Sequence, residues 1–163
     1  FADVLSITEH TCIVFLSGVQ DPHNAGAIIR SAAAFGASAI LMPEKGNAPI
    51  SGTVIKVSAG MAFRVPLLEV DNVQQCLSDL KKRGFKIYAL AGEGMVSIAE
   101  EKFSEPAVFI LGNEGEGVPT YLRELCDSVL SIPISKRTES LNVAASAAVV
   151  LYAWSLKHPT MLG

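Results

Sequence analysis

The sequence predicts an α/β fold, a mostly parallel six-stranded sheet with helices on both faces. Six apolar runs of strand length recur along the 163 residues, and helical patterns with recognisable caps lie between most of them. The runs are continuously apolar rather than alternating, which is how a strand buried on both sides reads. Half of the residues are apolar and 18% are charged, so the chain can bury a substantial core. Its length fits one domain over residues 1–163.

The first strand is CIVFLSGV, residues 12–19, and it runs into DPHN, whose Asp, Pro and Asn read as a loop. AGAIIRSAAAFG is then a helix ending at Gly36, followed by the strand SAILMP, the short helix GTVIKVSAGM and the strand RVPLLEV. DNVQQCLSDLKKRG is the clearest helix. Asp71 is expected at its N-cap, Val73, Cys76, Leu77 and Leu80 share one face, and Gly84 stands at the C′ position. FKIYALAG and AVFILG are the next strands. PTYLRELC follows with Pro119 near a first helical position, and SVLSIPI is the sixth strand. The last helix, SLNVAASAAVVLYAWSLKHP, has Ser140 as its expected N-cap. It is apolar on nearly all sides, which predicts burial in the core or in a subunit interface.

Composition also excludes functions. No apolar run reaches the roughly 18 residues of a membrane span, and no charged stretch precedes an apolar one at the start, so a soluble cytoplasmic protein is expected. Cys12, Cys76 and Cys126 are far apart with no CxxC pair, and His10, His23 and His158 lack zinc-like spacing. Reduced thiols and no metal are the reading. A net charge of −3 argues against a stand-alone nucleic-acid binder, because few basic residues cluster beyond KKRGFK at 81–86 and Lys136 with Arg137.

In an α/β sheet, ligands bind in the loops after the strands. Three such loops are unusual. DPHNAG leads to Arg30, a lone charge among Ala and Ile that also reads as an ordinary solvent-facing arginine. LGNEGEGVP, residues 111–119, is either a ligand loop or a tight glycine turn. Its order does not match GxGxxG, its glutamates would repel a pyrophosphate, and no P-loop occurs, so a nucleotide-dependent oxidoreductase fits poorly. IPISKRTESLNVAAS, residues 132–146, places Asn142 in the first turn of an apolar helix.

Taken together, NAGAIIR, LGNEGEGVP and IPISKRTESLNVA resemble the three motifs of the SpoU/TrmH family of RNA ribose 2′-O-methyltransferases, within the SPOUT superfamily. The similarity runs from about Cys12 to Lys157 with motif order intact, and DPHNAGA looks more like the ribosomal-RNA branch than the transfer-RNA branch. The resemblance implies a C-terminal deep trefoil knot and S-adenosylmethionine as cofactor. The cofactor-binding residues it implies are Leu90, Ala91 and Gly92, then Leu111, Gly112, Asn113, Gly115 and Gly117, then Ile132, Pro133, Ile134 and Leu141. Its catalytic set maps onto Asn24, Arg30, Glu114, Ser140 and Asn142, with Arg30 meeting the ribose hydroxyl. The resemblance further implies an RNA substrate, a homodimer whose site is built at the subunit interface, with the last helix and its Tyr152 and Trp154 as the candidate for part of that contact, and a possible N-terminal RNA-binding domain outside residues 1–163. Two positions depart from the pattern: Lys136 stands where most relatives have Gly, and Ala144 where they have Ser. The rival readings are a base-methylating SPOUT enzyme of tRNA and a non-catalytic RNA-binding module.

Overall fold

The computed structural model describes residues 6–163, so residues 1–5 of the expected domain lie outside the described residues. The strands are β1 (Cys12–Leu16), β2 (Ala39–Pro43), β3 (Leu67–Val70), β4 (Lys86–Leu90), β5 (Val96–Ser97), β6 (Ala107–Leu111) and β7 (Ser128–Ser131). The helices are α1 (Pro22–Ala34), α2 (Gly52–Val57), α3 (Val73–Lys82), α4 (Thr120–Arg123) and α5 (Val143–Lys157). One sheet forms in the order β3-β2-β1-β6-β4-β7-β5, with every neighbouring pair parallel. The expected strand count of six is therefore corrected to seven. The missed strand, β5, is two residues at the sheet edge, too short to leave an apolar run.

Alternation along the strands divides the core in two. Cys12, Val14, Leu16, Phe109 and Tyr88 point to the face covered by α1, α2 and α5, where Ile28, Ile29, Val54, Val150 and Trp154 meet them. Ile13, Phe15, Val108, Ile110 and Ile87 point to the opposite face, against Leu77 and Leu80 of α3 and Leu122 of α4. Burying both faces is why β1 and β6 carry no polar residue at alternate positions.

Several boundaries differ from the expected ones, and at α1, α3 and α5 the reason is a side chain that supplies a cap. DPHN is not a loop: Asp21 accepts a bond from the His23 backbone N–H and Pro22 opens α1, so His23 and Asn24 are already helical. Asn72, not Asp71, caps α3 by accepting from Gln75 N–H. Asn142, not Ser140, caps α5, and Pro119 sits at the N-cap of α4 rather than inside it. Gly84 does take the left-handed conformation after α3, with φ +91°. The last helix is not buried all round. Trp154 and Leu151 are in the core, while Val149, Tyr152 and Leu156 are exposed.

The connection from β4 to β5 crosses the end of β7, which lies between those two strands. Ala91 N–H donates to Leu130 C=O at 3.0 Å. A Cβ on Gly94 would lie 2.6 Å from the Leu130 carbonyl carbon, so the crossing is too close for any side chain. Among the described residues, no helix is long and apolar enough to cross a membrane.

Candidate active site

The chain proceeds from β1 outward to β2 and β3 on one side, whereas β6 is inserted on the other. That reversal of direction leaves a crevice above the carboxyl ends of β1 and β6, where an open α/β sheet binds its ligands. Backbone and amide bonds tie the two loops together. Ser17 N–H donates to Leu111 C=O at 2.8 Å, and Asn113 Nδ2 donates to Gly18 C=O at 3.0 Å. Asn47, which sequence reasoning did not single out, braces the same loop. Its Oδ1 accepts from Gly18 and Val19 N–H at 3.0 and 2.8 Å, and its Nδ2 donates to Leu16 C=O at 3.1 Å.

The glycine loop after β6 closes on itself. Asn113 and Gly117 exchange backbone bonds of 3.0 and 2.9 Å, and Asn113 Oδ1 accepts from Gly115 and Glu116 N–H. Gly117 has φ +71°, a conformation costly for a side chain, and a Cβ on Gly112 would collide with the backbone of Gly117 and Val118. The loop is thus both a tight turn and a surface of bare backbone.

Three of the expected catalytic residues meet in one hydrogen-bonded chain, although they are separated by up to 118 positions. Glu114 Oε1 accepts from Asp21 N–H at 2.9 Å and from Asn24 Nδ2 at 3.3 Å, and Oε2 accepts from Gln20 N–H at 3.3 Å. Asn24 Oδ1 in turn accepts from Asn142 Nδ2 at 2.9 Å, and Asn142 Oδ1 accepts from Ala144 and Ala145 N–H. The carboxylate can only accept, and the helix N–H groups can only donate, so both amides are oriented without ambiguity. Burial by itself raises the Glu114 carboxyl, but the bonds from Asp21, Gln20 and Asn24 outweigh it and hold the group below the usual carboxylate range. Glu114 is an ionised clamp, not a proton donor.

Beside this chain lies a cleft of about 570 Å³ at the ends of β4, β6 and β7. Leu90, Ala91, Gly92, Leu111, Gly112, Asn113, Gly115, Gly117, Ile132, Ile134 and Leu141 line it, so all of the expected cofactor set is brought together except Pro133, which lies outside the lining. Glu114 and Ser140 also face the cleft. Sequence reasoning missed Val118, Val143 and Ser146; the last two share one face of the first turn of α5, a spacing readable only once the cap is placed at Asn142. Lys136 is on the cleft wall, and Arg123 stands at its rim, its Nε donating to Val118 C=O at 2.9 Å.

Arg30 does not line this cleft. It is exposed on α1, with no hydrogen bond or ion pair among the described residues. Nor is KKRGFK an open basic patch: Lys81 pairs with Asp127, Lys82 with Asp79 and Lys86 with Glu101, at 3.3 to 3.4 Å.

Comparison with known proteins agrees with this arrangement. A family model described as the SpoU rRNA Methylase family matches residues 11–152, which include all three loops. The chain is 43% identical over 140 residues to the 23S rRNA (guanosine-2'-O-)-methyltransferase RlmB of Xanthomonas campestris pv. campestris, covering 86% of this chain and 56% of that protein. It is 37% identical over 150 residues to RlmB of Vibrio parahaemolyticus, covering 92% and 61%. Among solved structures, the SpoU methyltransferase AviRb from Streptomyces viridochromogenes in complex with AdoMet superposes with a TM-score of 0.87 at 26% identity, covering 98% of this chain and 62% of that one. The chain therefore spans somewhat over half the length of these relatives. With the fold, the three loops and the family match in agreement, the chain belongs to the SpoU rRNA methylase family.

Proposed function

We propose that this protein is an S-adenosylmethionine-dependent RNA methyltransferase that modifies a ribose 2′-hydroxyl, in ribosomal rather than transfer RNA. The observation that carries the reading is the Glu114–Asn24–Asn142 chain set against a cleft lined by bare glycine backbone and apolar strand ends. The names of the two RlmB relatives favour ribosomal RNA.

The cleft suits the cofactor chemically. Leu90, Leu111, Ile132 and Val143 provide apolar walls for a purine, and the absence of a side chain at Gly112 lets a ligand approach backbone. S-adenosylmethionine supplies a methyl group on a positively charged sulfur. The residues of the chain then have to orient a weakly nucleophilic hydroxyl and stabilise the charge that develops as its proton leaves. Arg30 is assigned to that oxygen. Its guanidinium remains protonated, so it acts as a fixed hydrogen-bonding charge and not as a base. Asn24, Glu114 and Asn142 are positioning residues that hold the first turn of α1 to the glycine loop, and Ser140 faces the ribose from the cleft wall.

Arg30 lies off the cleft within one chain, which supports a homodimer whose second copy completes the site. The exposed Val149, Tyr152 and Leu156 of α5 are the apolar surface for that contact. Trp154, buried in its own core, takes no part. A trefoil knot over the C-terminal segment belongs to the same proposal. Its support is the tight crossing of residues 91–95 over β7, after which the chain returns to bring Asn142 to α1.

The test is transfer of labelled methyl groups to ribosomal RNA, followed by alkaline hydrolysis. A ribose product appears as alkali-resistant dinucleotides. A methylated base would establish the base-modifying alternative, and no cofactor binding by calorimetry would establish the non-catalytic module.

A further inference from the structure

We propose that the surface formed by α2 and the 3-10 turn that follows it is a docking face for single-stranded RNA, with a base stacked on Phe63 and phosphates held by Lys56 and Arg64. The inference rests on the RNA-methyltransferase reading and concerns contacts outside the catalytic loops.

Three observations carry it. First, the net charge of −3 conceals a segregation. Residues 22–68 contain Arg30, Lys45, Lys56 and Arg64 against the single carboxylate Glu44, while the remaining fifteen of the sixteen carboxylates lie elsewhere. None of these four cations has an ion pair or side-chain hydrogen bond among the described residues, whereas Lys81, Lys82 and Lys86 are each neutralised by a carboxylate. Free cations without neighbouring acids attract a polyanion.

Second, Phe63 is 77% exposed on a turn that is itself firmly held. Met61 and Ala62 pack into the core beside it. The buried Ser58 hydroxyl accepts from Ala62 N–H at 3.3 Å and donates to Ile55 C=O at 3.0 Å, and Ala59 and Gly60 both take positive φ to close the turn. An aromatic ring on a fixed pedestal loses little freedom on stacking with a base, and every base offers a face to it. Arg64 is the next residue in the chain, and Lys56 is in the last turn of α2.

Third, this face is continuous with the active site. Ala48 N–H donates to Val19 C=O at 2.8 Å, and Asn47 braces the same loop. Gly26 of α1 lies so close to α2 that a Cβ there would be 2.7 Å from Val57 Cβ. Arg30 is one turn further along α1 from Gly26. RNA held at Phe63 is thereby led along α1 toward the ribose-binding charge.

The experiment is filter binding of a labelled oligouridylate of about a dozen nucleotides to the whole chain across a salt series, with calorimetric S-adenosylmethionine affinity as the check on folding. Phe63→Ala and Phe63→Leu are expected to weaken RNA binding roughly ten-fold, with Phe63→Trp retaining it. Lys56→Gln combined with Arg64→Gln should flatten the salt dependence by about 1.4 in slope, about 0.7 for each lost phosphate contact. RNA affinity in Phe63→Leu equal to that of the unaltered chain overturns the proposal, as does an absence of RNA binding by the unaltered chain. A change in oligomeric state with RNA affinity intact also overturns it and assigns the face to a second copy. If RNA affinity depends on Phe63 but no methyl group is transferred, the docking face stands and the methyltransferase reading fails. Active methyl transfer with Phe63-independent binding is the reverse.

Discussion

Asn142 performs two tasks with opposite ends of one amide, and they can be separated by substitution. Its Oδ1 caps α5 by accepting from Ala144 and Ala145 N–H, and its Nδ2 reaches Asn24 at 2.9 Å. Asn142→Ala removes both. Loss of a cap costs about 1 kcal/mol, and loss of a partly buried amide bond about 1 kcal/mol more, for a total of about 2 kcal/mol. In a chain of this size that lowers the melting temperature by about 4–8 °C. Asn142→Asp keeps the cap, with a carboxylate suited to a helix N-terminus, but it has no N–H to give and sets two oxygens against each other at Asn24. Its stability should lie within about 1 kcal/mol of the parent, while methyl transfer falls well below it because the first turn of α1 is no longer held to α5. Thermal denaturation read beside single-turnover methyl transfer makes the comparison. If Asn142→Asp transfers methyl groups at the parent rate, the bridge to Asn24 has no positioning role. Additive effects of Asn24→Ala and Asn142→Ala on stability would likewise contradict a shared bond.

Other consequences follow from single residues. Arg30→Ala should lose most of its turnover while S-adenosylmethionine affinity, measured by calorimetry, stays close to the parent value, since Arg30 is outside the cleft. Gly112→Ala should abolish cofactor binding in the same assay, because its Cβ collides with backbone rather than a movable side chain. Stability should fall as the solution is acidified from about pH 7 toward pH 5. His158 Nε2 must donate to Phe103 C=O at 2.9 Å, which leaves Nδ1 to accept from His10 Nδ1 at 2.8 Å. Burial first, and the facing His10 charge second, lower the His158 pKa below its ordinary 6.5, against the pull of the Phe103 carbonyl and Glu9. A lowered histidine pKa means that the unfolded chain binds the proton more readily. The contribution is complete above the unfolded value and is lost as pH falls through the folded one. His158→Gln should flatten the melting-temperature profile over that range; an unchanged slope would refute the assignment.

The α/β class, the order of the long strands and helices, and the three ligand loops were legible in the residues themselves, because a strand buried on both faces leaves a continuous apolar run and a cap leaves a named residue. Even where a boundary was misplaced, as at Asp71 or Ser140, the structure moved the cap by only one or two positions, to Asn72 and Asn142. Local sequence could not reveal β5, since two residues at an edge have no pattern of their own. It also could not reveal that Glu114, Asn24 and Asn142 bond to one another. That depends on the insertion of β6 beside β1 and the return of α5 onto α1, which bring together loops that sequence separation keeps apart. Which charges are paired was hidden from the sequence for the same reason. KKRGFK is a basic run whose lysines find carboxylates within α3 or on neighbouring elements, while Lys45, Lys56 and Arg64 are scattered in sequence and have no ion pair among the described residues, in a segment with Glu44 as its single carboxylate. The pattern of apolar runs and caps determined the fold class, but only the tertiary structure decided which polar groups face each other, because pairing is a matter of distance and distance is set by the packing of the sheet.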